Sequence, residues 1–331
     1  MKKGHVVLAI IFFTFSMVLL PAMATIRRGK RLQVGFYNTR CPQAEFVVAH
    51  HVAMAFVRDH SIAAGFLRLF FHDCFVKGCD ASILLDSTPS GEPVEKTSPA
   101  NVRSLKGEDL IDEIKSHLEA QCPETVSCAD ILAFATREAV ALSGLPRFQM
   151  PSGRRDSRSS RGMDVNLPGP RTPIDEIIRI FASKGITVED MVVLMGAHSI
   201  GSAHCKWFDD RLKNNSTQSR NAASMNMDPS YAAHIKAMCT GNREEASVMF
   251  DPISPYRLEN SYYKKLERQR GLLHSDQVLA FDTRTSPIVN EMANQPIKWS
   301  WKFVQALTRL GKVNVLTGKE GEIRKNCRAF N

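Results

Sequence analysis

Beyond its first two dozen residues, this 331-residue sequence has no apolar run of the roughly 20 residues that a membrane-crossing helix requires. A soluble protein is therefore expected. It has no paired CxxC and no HExxH or similar cluster, so a thiolate zinc site and a zinc hydrolase both lack their ligands. It has no internal repeat and no long low-complexity linker, which excludes a solenoid or a string of modules. Alternating strand patterns are scarce. Its lysines and arginines are spread out rather than gathered, which speaks against nucleic acid as a partner.

What is present begins with an address. Lys2 and Lys3 precede an apolar run over residues 6–20, and Ala22-Met23-Ala24 supplies the small-x-small pattern of a signal-peptidase site. Residues 1–24 are expected to be a secretory signal, and cleavage would leave residues 25–331 as one domain. Loss of the two lysines takes the formal charge from +9 to +7. That basic balance serves solubility and suits acidic polymers outside the cell. All eight cysteines lie beyond the signal, an even count that reads as four disulfides in an exported chain. Spacing alone suggests only Cys74 with Cys79. Asn214-Asn215-Ser216-Thr217 holds two overlapping glycosylation sequons.

The dominant period is helical. Ser127 with Asp130 resembles a capping box, opening a helix through Ile131, Leu132, Ala135, Val140 and Leu142 that stops at Gly144. Thr172-Pro173 with Asp175 starts another, ending at Gly185, and Thr187 with Asp190 a third. Leu110, Ile111, Ile114 and Leu118 mark one more. The fold is expected to be all-α with minor β.

Two histidines stand out. Met191, Leu194, Met195 and His198 fall at i, i+3, i+4 and i+7, which places His198 on an apolar helix face near the helix end. Read alone, such a histidine is more often a satisfied core residue than a ligand. Arg68 precedes His72 by one i, i+4 step beside the apolar Leu67-Arg68-Leu69-Phe70-Phe71 run. A guanidinium there is costly unless an anion meets it, either a structural carboxylate or charge that develops transiently. Arginine with histidine is what heterolysis of a peroxide O–O bond needs: the imidazole moves a proton from the inner to the outer oxygen, and the guanidinium stabilises the departing oxygen.

At these residues the sequence resembles the class III secretory haem peroxidases of plants. Arg68-Leu-Phe-Phe-His72-Asp-Cys74-Phe-Val-Lys-Gly78-Cys79-Asp80-Ala-Ser82 is similar to the family's distal haem motif, and Met195-Gly-Ala-His198-Ser-Ile-Gly201 to its proximal motif. Phe36-Tyr37, Cys41-Pro42, Val126-Ser-Cys128-Ala-Asp130, Gly153-Arg-Arg-Asp156-Ser157, Asn166-Leu-Pro168 and Ser275-Asp276-Gln277 match in the family's order. The resemblance implies a distal half over about residues 25–170 plus the C-terminal segment, and a proximal half over about 171–290. Haem b would lie between them.

The resemblance also implies roles. His198 would be the axial iron ligand, with Asp276 accepting its other ring N–H. Arg68, His72 and Asn101 would be catalytic, Asn101 accepting the Nδ1 proton of His72. One calcium would be bound by Asp73, Val76, Gly78, Asp80 and Ser82, with Glu95 tying its segment to a calcium-bound water. A second would be bound by Ser199, Asp251, Ser254, Arg257 through its carbonyl, and Glu259. Here the family usually has Asp where Glu259 stands and commonly Thr where Ser199 stands, so a looser site is expected. The implied disulfides are Cys41–Cys122, Cys74–Cys79, Cys128–Cys327 and Cys205–Cys239.

Pro168 would accept a hydrogen bond from phenolic donors through its carbonyl, in an opening that Pro99, Arg171 and Trp207 can line. Arg171 is expected to favour anionic or hydroxyl-bearing donors there. Phe71 is expected to pack on the haem and Phe250 on His198. The implied activity is hydrogen peroxide reduction coupled to one-electron oxidation of phenolic and aromatic donors through a ferryl-haem intermediate, by a monomer in the extracellular space or cell wall. The chain ends four residues after Cys327, without the extension associated with vacuolar relatives. The rival reading is a basic wall-binding protein that keeps the fold and has lost turnover. It would require damage at Arg68, His72, Asn101 or His198, all of which are present.

Overall fold

Side-chain caps start two helices where the sequence places them. In the computed structural model, Ser127 accepts the Asp130 N–H and opens a helix over Cys128–Leu142, while Thr187 accepts the Asp190 N–H and opens Val188–Met195. The third start differs by one residue. Helix Ile174–Ser183 is preceded by Pro173, and Thr172 turns its hydroxyl to the Gly169 N–H at 2.7 Å instead. The structure describes residues 32–331 apart from residues 103, 213–226 and 242–244. The expected signal over residues 1–24 and the sequons at Asn214 and Asn215 lie outside the described residues.

Among the described residues the order is α1 Ala44–Arg58, α2 Ile62–Val76, α3 Glu108–Gln121, α4 Cys128–Leu142, α5 Ile174–Ser183, α6 Val188–Met195, α7 Asp209–Leu212, α8 Pro229–Met238, α9 Ser261–Glu267, α10 His274–Gln277, α11 Ser286–Asn294 and α12 Pro296–Leu310. The only sheet among them pairs β1 Ser202–His204 antiparallel with β2 Ser247–Met249, Ala203 opposite Val248. The all-α expectation with minor β holds, and no described helix is long and apolar enough to cross a membrane.

One large apolar core runs from α1–α4 through α5 and α6 to α9, α11 and α12. α4 lies at its centre and is buried at thirteen of its fifteen positions, which is why it packs on α1, α2 and α3 at once. A smaller cluster gathers Phe208, Leu212, Ile235, Val248 and Leu272 around the Cys205–Cys239 bridge. The other bridges are Cys41–Cys122, Cys74–Cys79 and Cys128–Cys327, the pairs that the resemblance implies, and no described cysteine is free.

Buried charge fixes the distal helices to the chain's end. Asp130 meets the Arg154 guanidinium at 2.7 Å and also accepts from the Tyr37 hydroxyl and the Gly153 N–H. Asp156 sits at the start of α4, accepting from Cys128 N and Ala129 N, where the helix's free N–H groups favour an anion. It accepts from Arg324 N as well. Isolated bridges join Arg155 to Leu316 and Asp156 to Glu322. The Val126–Asp130 and Gly153–Ser157 matches are thus the two sides of one buried joint.

Candidate active site

Ala64, Arg68 and His72 lie at i, i+4 and i+8 on one face of α2. Gly201, three residues after His198, lies against that face: a Cβ there would stand 3.1 Å from Ala64 Cβ. The helix face that presents Arg68 and His72 is therefore turned toward the segment that carries His198.

His72 is buried, and its Nδ1 lies 2.5 Å from Asn101 Oδ1. The Asn101 amide nitrogen donates to the Glu95 carbonyl at 2.7 Å, so Oδ1 is the atom facing the imidazole. An acceptor at Nδ1 fixes the proton on that nitrogen and leaves Nε2 with its lone pair. Burial, reinforced by the Arg68 charge and opposed by the Asn101 hydrogen bond, holds the His72 pKa down to about 3. The imidazole is a free base over the whole physiological range.

Arg68 donates to the Ala100 carbonyl at 3.1 Å and to Ser104 Oγ at 3.2 Å. By surface area the side chain is exposed, yet desolvation lowers its pKa. The two are compatible for a guanidinium that opens into a recess rather than onto the outer surface, and the desolvation describes its surroundings better. No carboxylate pairs with it among the described residues, so the structural salt bridge allowed by the sequence is not formed.

On the other side, α6 stops at Met195, and His198 falls in the one-turn 3₁₀ segment Gly196–Ser199 rather than on the α-helix. The cause is crowding. The Tyr263 hydroxyl donates to Val192 O and Val193 O, and Trp299 Nε1 donates to Val193 O. A Cβ at residue 196 would stand 2.6 Å from the Tyr263 hydroxyl, so only glycine fits. The resulting turn carries His198 Nδ1 to 2.8 Å from Asp276 Oδ1 and leaves Nε2 pointing away from that carboxylate. Phe250 stacks on the imidazole, as expected, with ring centroids 4.5 Å apart. Tyr262, which the sequence analysis missed, donates to the same Asp276 oxygen at 3.0 Å. Its separation of 64 residues from His198 left no local signal.

The first oxygen cluster is buried and incompletely paired. Asp73, Asp80, Ser82 and Glu95 are buried together, and Asp73 Oδ1, Ser82 Oγ and both Glu95 carboxylate oxygens have no hydrogen-bond partner. Burial pushes the Asp73 carboxyl up, with the Asp80 and Glu95 charges adding to the rise. Glu95 is pushed up to about 8 by burial and the Asp80 charge, only partly offset by the nearby Ser82 hydroxyl. Gly78, whose φ is +153°, comes so close to the Asn314 carbonyl that a Cβ would stand 2.3 Å from it. Unsatisfied buried oxygens of this kind fit a hard cation.

The second set is brought together but closed by its own side chains. Asp251 accepts from the Ser261 hydroxyl at 2.6 Å, from Ile253 N, and from the Lys265 ammonium at 3.1 Å. Ser254 donates to Glu259, and Glu259 N donates to Ser199 Oγ at 3.3 Å. Burial raises the Asp251 carboxyl, but the Ser261, Ile253 and Lys265 interactions outweigh it and leave it lowered. Arg257 is exposed, its Nε 4.0 Å from Glu259. None of these side chains has an orphaned buried oxygen, so this set does not show the fit seen at the first.

At the edge, Pro168 is half-buried in the coil before α5, and Pro170 O accepts from Ser275 N, tying that coil to the segment of Asp276. Pro99 and Trp207 are exposed. Arg171 is not a free cation: it donates to Asp209 and Asp210 at 3.0 Å and to Lys206 O. Its charge is compensated where it stands, which corrects the expectation that it favours anionic donors. Phe71 stacks on Phe75 at 4.1 Å and approaches Phe181, an aromatic wall beside His72.

A helical fold with one histidine held by an amide and another by a carboxylate suits a haem peroxidase, and comparison with known proteins shows that class. The peroxidase family profile matches residues 48–295. The chain is 44% identical to Peroxidase 44 of Arabidopsis thaliana over 322 residues, 97% of this chain and 98% of that one. It is 42% identical to Peroxidase 5 of Vitis vinifera over 325 residues, 97% and 98% of the two chains, and 43% identical to Peroxidase 1 of Zea mays over 319 residues, 95% and 86%. The chain belongs to the class III peroxidases of plants and is a haem-dependent oxidoreductase that uses hydrogen peroxide and a donor substrate.

Proposed function

We propose that this peroxidase works through Arg68, His72 and Asn101 on one side of haem b and His198 with Asp276 on the other, oxidising small phenolic and aromatic donors. The observation that carries the assignment is the pairing of each histidine: Nδ1 of both is engaged by an acceptor, which leaves both Nε2 atoms available. His198 would hold the haem iron, which supplies the electrons for peroxide reduction and stores the oxidising equivalents that the donors discharge.

The chain's own residues handle the protons. His72 Nε2 takes the proton of the inner peroxide oxygen and returns it to the outer oxygen, which leaves as water. Arg68 stabilises negative charge on that oxygen as the O–O bond breaks. Asn101 keeps the imidazole in the tautomer that can do this. Asp276, accepting from His198, makes that imidazole a stronger electron donor. Pro168 O is the proposed acceptor for a donor hydroxyl.

Calcium is proposed at Asp73, Val76, Gly78, Asp80 and Ser82, with Glu95 next to it, supported by the orphaned oxygens there. At Ser199, Asp251, Ser254, Arg257 and Glu259 calcium would have to displace Lys265 from Asp251, so that site is proposed as the weaker one. We place the mature protein outside the cell as a monomer whose basic charge suits anionic wall polymers. A non-catalytic wall-binding role has no support in a site whose distal and proximal side chains are complete.

The test is the visible spectrum of the haem-loaded protein before and after one equivalent of hydrogen peroxide. A high-spin ferric Soret band that falls and shifts promptly in the wild type, and about 10²–10⁴-fold more slowly in His72→Ala, supports the assignment. An equal rate in the variant, or a six-coordinate low-spin band unresponsive to peroxide, overturns it.

A further inference from the structure

Away from the catalytic cleft, α1 and α3 bring three metal-competent side chains to one outer surface. The ligand atoms of His51, Glu113 and His117 all lie within 4.8 Å of one another. His51 Nδ1 is 2.8 Å from Val47 O, and His117 Nδ1 is 3.0 Å from Glu113 O, each a carbonyl four residues back on the same helix. A carbonyl only accepts, so in the neutral ring the proton sits on Nδ1 and the lone pair on Nε2. A carbonyl-held neutral imidazole of this kind is the form that ligates metals.

Glu113 and His117 stand one turn apart on α3, and His51 faces them from α1. The two imidazole centroids are 4.6 Å apart, and His51 Nε2 is 3.7 Å from Glu113 Oε1. The helices are held in this register. The Cys41–Cys122 bridge joins the residue three before α1 to the residue just after α3, and Gln43 donates to Gln121 beside it at 3.0 Å.

Two imidazoles and one carboxylate suit a borderline divalent ion, whereas calcium and magnesium prefer oxygen throughout. A tetrahedral ion with bonds of about 2.0–2.1 Å keeps its donors about 3.4 Å apart. His51 Nε2 and Glu113 Oε1, 3.7 Å apart, are already close to that spacing, and the 56%-exposed Glu113 side chain is free to adjust. We propose that His51, Glu113 and His117 form a surface site for a divalent transition-metal cation of the zinc class, with water as the fourth ligand, clipping α1 to α3. The competing explanation is a metal-free His51–Glu113 ion pair.

Zinc binding by the haem- and calcium-loaded full chain, measured by equilibrium dialysis with calcium in excess, decides between them. The expected result is one zinc per chain at micromolar concentrations, with affinity falling at least about tenfold in His51→Ala and in His117→Ala. His50→Ala, whose ring stacks on Phe46, should bind zinc like the wild type. An unperturbed Soret band shows that each variant keeps its fold, and Glu113→Gln gives a second reading if an alanine variant loses it. No zinc bound below a millimolar, or wild-type affinity in both histidine variants, overturns the proposal.

Discussion

At the scale of single residues, the two histidines differ in what their neighbours do to them. His72 is stripped of water and faces a guanidinium, which together hold its pKa at about 3. A lowered pKa keeps the base form present as pH falls. The rate of reaction with peroxide should therefore stay flat on the acid side down to about pH 3–4, where free histidine would already be protonated near 6.5. Stopped-flow rates from pH 3 to 8 test this; an acid limb centred near 6.5 would contradict it. Asp276 is shared between His198 and Tyr262. Removing the Tyr262 hydroxyl in Tyr262→Phe should strengthen the carboxylate's hold on the His198 N–H and make the ferric/ferrous midpoint potential more negative, as measured by redox titration.

The histidines themselves were legible because each carries a local signature. Arg68 and His72 share a helix face by spacing alone, and the motifs around both match a known family. Tyr262 was not, because it reaches the site from a distant point of the chain and nothing in its own neighbourhood marks it. Ala100 and Ser104 were not, because their contact with Arg68 is made by a backbone carbonyl and a common hydroxyl beside Asn101. Arg171 was legible as a cation but not as a paired one, since its partners Asp209 and Asp210 arrive 38 and 39 residues later.

Among elements, the helices that begin at a side-chain cap were placed well by the sequence, and those that end at a packed residue were not. Ser127→Ala should cost about 1 kcal/mol in a denaturation experiment, since α4 loses its cap at the fold's centre. The end of α6 could not be read from the 3.6-residue period, which runs on to His198. What stops it is the Tyr263 hydroxyl and the Trp299 indole, carried by α9 and α12. The loop from Asp251 to Glu259 makes a parallel case. Its oxygens were legible as a set, but Lys265 of α9 already neutralises Asp251. Lys265→Ala should therefore bind its second calcium more tightly than the wild type, read by calcium titration after the first site is filled.

For the whole molecule, the buried Asp73, Asp80 and Glu95 cluster is linked by hydrogen bonds to His72, and calcium bound there is expected to couple stability to the peroxide reaction. Glu95 lends its backbone carbonyl to Asn101, and Asn101 holds His72. Chelation of calcium should lower Tm by several degrees and slow the peroxide reaction together. In Asp80→Asn the chelator should have a much smaller effect on either. Calorimetry and stopped-flow on the same preparations separate a linked loss from two independent ones. Helix content and the neighbours of the two histidines, Asn101 and Asp276, were legible from one sequence. Of the fold's closure, the Cys128–Cys327 bridge was legible through the resemblance; the buried pairings of Arg154 with Asp130 and Arg324 with Ser157 O were not, because they look like ordinary surface groups until their partners are known.

That closure has a consequence for biosynthesis. Residues 155 and 156 take backbone partners at Leu316 and Glu322, and Cys128 waits for Cys327. As the chain emerges from the ribosome, the first half cannot acquire these contacts until residues 316–327 have been made. A message cut short before residue 316 should yield a product that cannot close its fold, even though every residue named in the chemistry has already been made.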